Sequence, residues 1–419
     1  MGNESKDMCN NRQANDAPGR ARVLVLDEET PWPPDTGKRI RTLGLLKRLA
    51  KDFEIELLVH DSFDHRDAVE ALSGEDIKVH VANSSIPAKK GVSFYFRLLL
   101  NIFSRYPYSV SSHYQTGYAR RLEELLRANS YDLIHCEWTP YARYVKPNGE
   151  IPWVLAAHNV ESQIWERMAA HAHPLKSWFI GLQARRMLRF EKTVFASCGT
   201  VIAVSAPDGQ IIQKLCGRDA IVVPNGVDTT AIKATTSGRN ENSLLFTGSL
   251  DWRPNQDAVV WFLDEILPLI GVPGNFCVQI VGRNPPQWLR ARCEHAPNVK
   301  LFASVPDMEP YLRGATLSIV PLRIGGGSRL KILESLAAGA PVVSTTIGAE
   351  GLNVEHGVHC VIADSPEDFA RSLRDLLRDP EQREVMSQAG RHLVEQHYDW
   401  GQLAALQAEA WNAARTKRP

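Results

Sequence analysis

With 419 residues and a mass of 46.8 kDa, the chain exceeds what one hydrophobic core ordinarily fills, so two domains are expected. Its 44% hydrophobic and 23% charged residues are those of a globular protein, which excludes wholesale disorder and fibrous repeats. Lys+Arg and Asp+Glu both number 48, so the whole-protein basic field of a nucleic-acid binder is missing and no nucleic-acid partner is expected.

Residues 1–19 are rich in Asn, Asp and Gly without periodicity and read as a disordered tail. They hold no apolar h-region, so secretion is not expected, and Lys6 stands where myristoylation at Gly2 needs Ser or Thr. Short apolar runs then alternate with helical patterns. Strands are expected at Arg22–Leu26, Glu54–Val59, Val79–Ala82, Leu133–Cys136, Trp153–Ala156 and Val201–Val204, with helices such as Arg39–Ala50, Tyr118–Ala128 and Leu182–Phe195. The most apolar stretch, Phe94–Phe103, is short and carries Arg97, so nothing is expected to span a bilayer. After Pro224-Asn225-Gly226 the pattern restarts. Strands are expected at Leu244–Phe246, Cys277–Val281, Lys300–Phe302, Ser318–Val320, Val342–Ser344 and Val361–Ala363. Helices Gln256–Leu269, Trp288–His295, Leu330–Ala338, Pro366–Leu377 and Pro380–Gln396 fit among them, and Trp400–Ala414 has a helical pattern of its own.

Buried-strand runs alternating with helices imply parallel β-α-β units. The expected fold class is therefore α/β, with two Rossmann-like doubly wound domains at residues 20–222 and 223–395 followed by a C-terminal segment, 396–419. Ligands of such sheets bind at the carboxyl ends of the strands, so a cleft between the domains is the expected site. Seven scattered cysteines without a C-x-x-C pair read as reduced thiols of a cytosolic protein. No zinc-ligand spacing occurs.

Three stretches can carry chemistry. The loop after the first strand ends at Gly37, which opens a helix and lets a backbone N–H approach an anion; an ordinary strand-to-helix turn is the alternative. His158 stands at the carboxyl tip of an expected strand, facing the cleft or satisfying a structural hydrogen bond. His135 has a comparable place but lies inside an apolar run. The most informative stretch is Gly325-Gly326-Gly327-Ser328-Arg329-Leu330-Lys331-Ile332-Leu333-Glu334. Free N–H groups at a helix start, with Arg329 and Lys331 beside them, suit a diphosphate, and the Glu334 carboxylate can accept both hydroxyls of a ribose. A flexible loop with a solvated Arg-x-Lys face is the alternative.

Taken in order, the Gly37 loop, His158-Asn-Val-Glu161, Ile202-Ala-Val-Ser205, Val223-Pro-Asn-Gly-Val-Asp228, Leu245-Phe-Thr-Gly-Ser249, the Gly326–Glu334 helix start and Gly339-Ala-Pro-Val-Val343 resemble glycosyltransferase family 4 across residues 20–415. The resemblance implies the GT-B fold, with a C-terminal helix crossing back to the first domain. It also implies transfer of a sugar from a nucleotide-diphosphate donor with retention of configuration. By that likeness Gly37 approaches the donor diphosphate, His158 sits beside the transferred sugar and Glu334 matches the ribose carboxylate of the family's E-x7-E motif. The motif's first carboxylate falls at Gly326, a departure, and the family's usual Arg and Lys pair after the first strand of the second domain is altered, with Ser249 and the run Leu250-Asp-Trp-Arg253-Pro-Asn255 in its place. Arg329 and Lys331 replace the missing charges.

The donor site expected from this reading comprises Gly37, Ser249, Arg253, Gly326, Gly327, Ser328 and Glu334, with His158, Arg329 and Lys331 catalytic. No cofactor is expected and no metal is required, since cationic side chains neutralise the leaving diphosphate and no Asp-x-Asp occurs. The expected partners are a UDP-, GDP- or ADP-sugar and a glycan, lipid-linked or polysaccharide-precursor acceptor. Residues 85–127 carry Lys89, Lys90, Arg97, Arg105, Arg120, Arg121 and Arg127 against Glu123 and Glu124, interleaved with aromatics. That surface either rests on an anionic membrane, placing the protein on the cytoplasmic face, or packs its aromatics inward. A sugar-nucleotide epimerase of the same fold and a non-catalytic nucleotide-sugar-binding subunit are the alternative functions.

Overall fold

The computed structural model describes residues 19–416 apart from 62–64, 147–148, 171–172, 236–238, 240–241, 272–275 and 325–328. In β1 (Ala21–Leu26), Val23 and Val25 face one side and Leu24 and Leu26 the other, and all four are fully buried. A strand apolar on both faces has to lie between two helical layers. It pairs in parallel with β2 (Phe53–His60) and β4 (Leu133–Cys136), inside a seven-stranded sheet ordered β3-β2-β1-β4-β5-β6-β7. The other members are β3 (Ile77–Ala82), β5 (Trp153–Ala157), β6 (Thr200–Ala203) and β7 (Ile221–Val222). A second parallel sheet of six runs β10-β9-β8-β11-β12-β13, from β8 (Ser243–Thr247), β9 (Cys277–Gly282), β10 (Val299–Ala303), β11 (Leu317–Val320), β12 (Val342–Ser344) and β13 (Cys360–Ile362). Both orders change direction beside the first strand of their sheet, the crevice where α/β sheets bind ligands.

Helices α1 (Gly37–Leu49), α2 (Arg66–Ser73), α3 (Val92–Asn101), α4 (Tyr108–His113), α5 (Thr116–Ala128), α6 (Glu161–Ala170), α7 (Pro174–Ser197) and α8 (Ala206–Cys216) connect the first sheet. Helices α9 (Arg253–Trp261), α10 (Leu267–Ile270), α11 (Gln287–His295), α12 (Glu309–Gly314), α13 (Leu330–Ala337), α14 (Thr346–Ala349), α15 (Pro366–Arg378) and α16 (Pro380–His397) belong with the second. The continuous helix expected at 256–269 is divided by a π-helical stretch, Phe262–Ile266. Pro268 has no N–H to return to the preceding turn, which interrupts the i→i−4 ladder there. Gly339, at φ 75°, ends α13 in the left-handed conformation that glycine adopts without strain, turning the chain into β12.

The last helix, α17 (Trp400–Thr416), leaves the second sheet and covers the first. Its Trp400, Leu403, Ala410, Trp411 and Ala414 share one buried cluster with Val23, Val25 and α1 residues Leu45, Leu46 and Leu49. Trp411 meets Phe53 edge to face at 5.0 Å between ring centres. Trp400 lies so close to α1 that a Cβ on Gly44 would fall 2.7 Å from its ring. The six described cysteines are free thiols; Cys9 lies outside the described residues.

Candidate active site

The carboxyl ends of the two sheets meet across a cleft of about 360 Å³. Gly37, Lys38, His158 and Asn159 line it from the first sheet, and Arg329, Glu350 and Gly351 from the second. Gly37 is the first residue of α1, whose N-cap Thr36 accepts a hydrogen bond from the Arg39 N–H at 3.3 Å. Lys38 turns back to Asp27 just beyond β1, its Nζ 2.5 Å from Oδ1. Burial raises the Asp27 carboxyl to about 6 against the pull of Lys38.

His158 is held from below. It follows β5, and Glu137 follows the adjacent β4, so parallel pairing brings the two strand ends together. His158 Nε2 donates to Glu137 Oε1 at 3.1 Å, and Thr42 of α1 donates to the same oxygen at 3.1 Å. The other oxygen, Oε2, accepts from His135 Nε2 at 2.7 Å. His135 and Glu137 are two residues apart on one strand, hence on one face, and that face is the one α17 covers. Trp411 Nε1 lies 3.1 Å from His135 Nδ1. An indole only donates, so Nδ1 accepts and the His135 proton sits on Nε2. Burial opposes ionisation of Glu137, but the hydrogen bonds from His135 and His158 hold its carboxyl well below the usual range. With Nε2 given to Glu137, His158 Nδ1 joins no hydrogen bond among the described residues.

On the opposite wall, Arg329 is 5% exposed at the start of α13 and meets Glu350 at 3.3 Å. Lys331, half-buried, donates from Nζ to Asn255 Oδ1 at 2.8 Å and lies 4.5 Å from the centre of the Phe246 ring. Burial and the neighbouring Arg329 charge pull its ammonium down to about 7. Burial pushes Glu334 up to about 7, opposed by Lys331. Gly248, just past β8, makes room for this arrangement: a Cβ there would fall 2.7 Å from Asn255 Nδ2 and 3.1 Å from Lys331 Nζ.

The structure thus gathers Gly37, His158 and Arg329 around one cleft and sets Lys331 and Glu334 on the helix behind Arg329. Gly326, Gly327 and Ser328 lie outside the described residues. Arg253 is exposed at the first position of α9, and Ser249 is engaged by its neighbours: its hydroxyl donates to Asp251 at 2.7 Å and accepts from Arg283 Nε at 2.7 Å. Arg283, from the end of β9, also reaches Asp35 of the first sheet's β1–α1 loop at 3.2 Å, so a guanidinium stands near Ser249 and bridges the two walls. Sequence reading missed Arg283, Asn255, Glu137 and Glu350. A carboxylate two residues beyond His135 was a visible signal for Glu137; Arg283 and Glu350 belong to loops without a residue pattern, and Asn255 lies in the first turn of α9, ahead of the helix expected from Gln256.

Two family models match the chain: "Glycosyltransferase Family 4" over residues 66–231 and "Glycosyl transferases group 1" over residues 241–379. An uncharacterised 44.6 kDa protein of the cps region of Klebsiella pneumoniae is 20% identical over 84% of this chain and 90% of its own length. The phosphatidyl-myo-inositol mannosyltransferase of Mycobacterium leprae is 29% identical over 49% of this chain and 56% of its own. Among solved structures, Anabaena HepE in complex with UDP and glucose superposes with a TM-score of 0.64 at 16% identity, covering 94% of this chain and 100% of that one. Sucrose-phosphate synthase from Thermosynechococcus elongatus superposes with a TM-score of 0.67 at 13% identity, covering 94% and 98%.

Proposed function

Because the chain belongs to the family 4 glycosyltransferases and has their GT-B fold, we propose that it moves a sugar from a nucleotide-diphosphate donor to a glycan or lipid-linked acceptor with retention of configuration. The observation that carries this reading is the pair of walls: Gly37 and His158 face Arg329 across one cleft, with the Lys331 ammonium fixed beside Arg329. A departing diphosphate needs negative charge stabilised by donors set in place beforehand. Arg329 and Lys331 supply it from the second sheet and the α1 N-terminus from the first, with Arg283 standing where the family's altered cation pair leaves a gap. Glu334 accepts the donor ribose, and the Glu137-anchored His158 presents Nδ1 to the transferred sugar. Same-face transfer follows, the leaving phosphate taking the acceptor proton. Charge neutralisation by these side chains requires no metal. The complexes of HepE make UDP and UDP-glucose the first donors to try.

The acceptor reaches the cleft from the first sheet's side. There α3 exposes Tyr95, Phe96, Leu99 and Leu100, with Phe103 just beyond it, among basic residues; this favours an acceptor presented at an anionic membrane, of which the protein is a peripheral visitor. No helix among the described residues is long and apolar enough to cross a membrane. Incubation with UDP-glucose, GDP-mannose and ADP-glucose, with and without acceptor glycans and lipid extracts, tests the activity. Acceptor-dependent release of one nucleoside diphosphate, unaffected by EDTA, is expected. Conversion of the donor without any acceptor would replace this reading with an epimerase.

A further inference from the structure

A second cavity, of about 310 Å³, shares no lining residue with the cleft. Arg105, Arg143, Arg186 and Arg189 line it together with Tyr106 and Phe190. The guanidiniums of Arg105 and Arg143 lie over the Tyr106 ring at 4.7 and 4.2 Å, and Arg143 also lies over Tyr114 at 4.0 Å. Among the described residues, none of the four arginines forms an ion pair with a carboxylate, whereas Arg22, Arg39, Arg48, Arg283, Arg323 and Arg329 each do. The lining of the cavity holds no acidic residue, and around Arg105 the chain carries none between Asp76 and Glu123. Four like charges crowded into one cavity repel one another, an arrangement that a bound anion relieves.

The cavity adjoins the apolar helix. Arg186 donates to the carbonyls of Asn101 and Ile102, at the end of α3, at 2.7 and 2.6 Å. Two residues before Arg105, Phe103 is 86% exposed. An unpartnered apolar face beside an acid-free arginine cavity matches a bilayer surface, hydrocarbon below and phosphate above. Arginine is also the side chain whose fork fits phosphate oxygens in pairs.

We propose that the Arg105–Arg143–Arg186–Arg189 cavity binds the phosphate headgroup of an anionic lipid while the exposed face of α3 dips into the same leaflet. The inference rests on the membrane-presented acceptor of the proposed function and deepens it by assigning the headgroup site. The test is co-sedimentation of the full chain at low salt with phosphatidylcholine vesicles, with and without phosphatidylglycerol. Parallel titrations use inorganic phosphate, and UDP titration and the melting temperature check that the fold is intact. The parent is expected to sediment with the mixed vesicles only. Arg105→Gln with Arg189→Gln, both exposed positions, is expected to weaken that binding about tenfold or more. Leu99→Ser with Phe103→Ser is expected to weaken it as well, while the response to phosphate stays that of the parent. Equal sedimentation of the double arginine variant overturns the headgroup site but leaves the membrane reading standing. Sedimentation of the parent with neither vesicle overturns both. A phosphate response lost in the arginine variant, with no vesicle binding by the parent, makes the ligand a free phosphate and overturns the lipid.

Discussion

Burial brings Lys331 and Glu334 near neutrality from opposite directions. Burial and Arg329 lower the ammonium to about 7, and burial raises the carboxyl to about 7. Below that pH Glu334 gains a proton and loses its ability to accept two ribose hydroxyls; above it Lys331 loses the charge that the diphosphate needs. Donor affinity should therefore follow a bell centred near pH 7 in titrations across pH. Glu334→Gln should flatten the acid limb and Lys331→Arg the alkaline limb. Lys331→Ala should lower turnover about a hundredfold, the loss usual for one preorganised charge-stabilising donor. Unchanged turnover at saturating donor would remove Lys331 from the site. Glu137 acts one layer deeper. It accepts from His158, His135 and Thr42, and an amide in its place offers one acceptor oxygen rather than two. Glu137→Gln should lower kcat at least tenfold with donor affinity nearly unchanged, since it loosens His158 but touches no donor-binding cation. Equal losses in binding and turnover would deny it that positioning role.

At the scale of elements, α17 links stability to chemistry, because the tryptophan that fills the first sheet's outer layer also fixes the His135 tautomer. Trp411→Phe keeps most of the apolar volume but leaves buried His135 Nδ1 without its donor. A loss of about 1–3 kcal/mol in denaturant unfolding is expected, together with lower turnover. Ending the chain at Tyr398 strips Trp400, Leu403, Ala410 and Trp411 from that layer and should lower the melting temperature of the first sheet far more. An unchanged melting curve would contradict this packing. The strands were legible because parallel strands buried on both faces leave unbroken runs such as Val23–Leu26. β7 has only two residues, too few for a period, and was not. The aromatics of residues 85–127 allow two readings, since at helical spacing they look alike whether they pack inward or stay exposed; Tyr95, Phe96 and Phe103 stay exposed, whereas Tyr108 and Tyr118 pack inward.

Across the whole molecule the two sheets are joined where two chain crossings lie side by side. Val227 N donates to Tyr398 O at 2.8 Å and Trp400 N to Val227 O at 3.2 Å, and Asp399 caps Thr229. Helix α1 grips the same place through Arg41 to the Pro224 carbonyl and Arg48 to Asp228, at 2.7 and 2.9 Å. Farther out, the walls meet through Arg283 and Asp35, both partly exposed, a pair worth about 0–1 kcal/mol and so able to part and re-form. Arg283→Ala should leave the melting temperature nearly unchanged while weakening nucleotide binding; the reverse pattern would make it a structural latch. The sequence showed His158, Arg329, Lys331 and Glu334 because each sits in a local motif. It did not show Arg283, Asn255 or Glu350, whose places depend on how chain segments 21 to 76 residues away are brought alongside. Calorimetric titration of UDP, GDP and ADP into the parent and Lys331→Gln bears most directly on the site between the walls. One of the three nucleotides should bind the parent, and the variant should bind it about tenfold or more weakly. Equal affinity in the two proteins, or binding of none of the three to the parent, would contradict a diphosphate held by the Arg329–Lys331 wall.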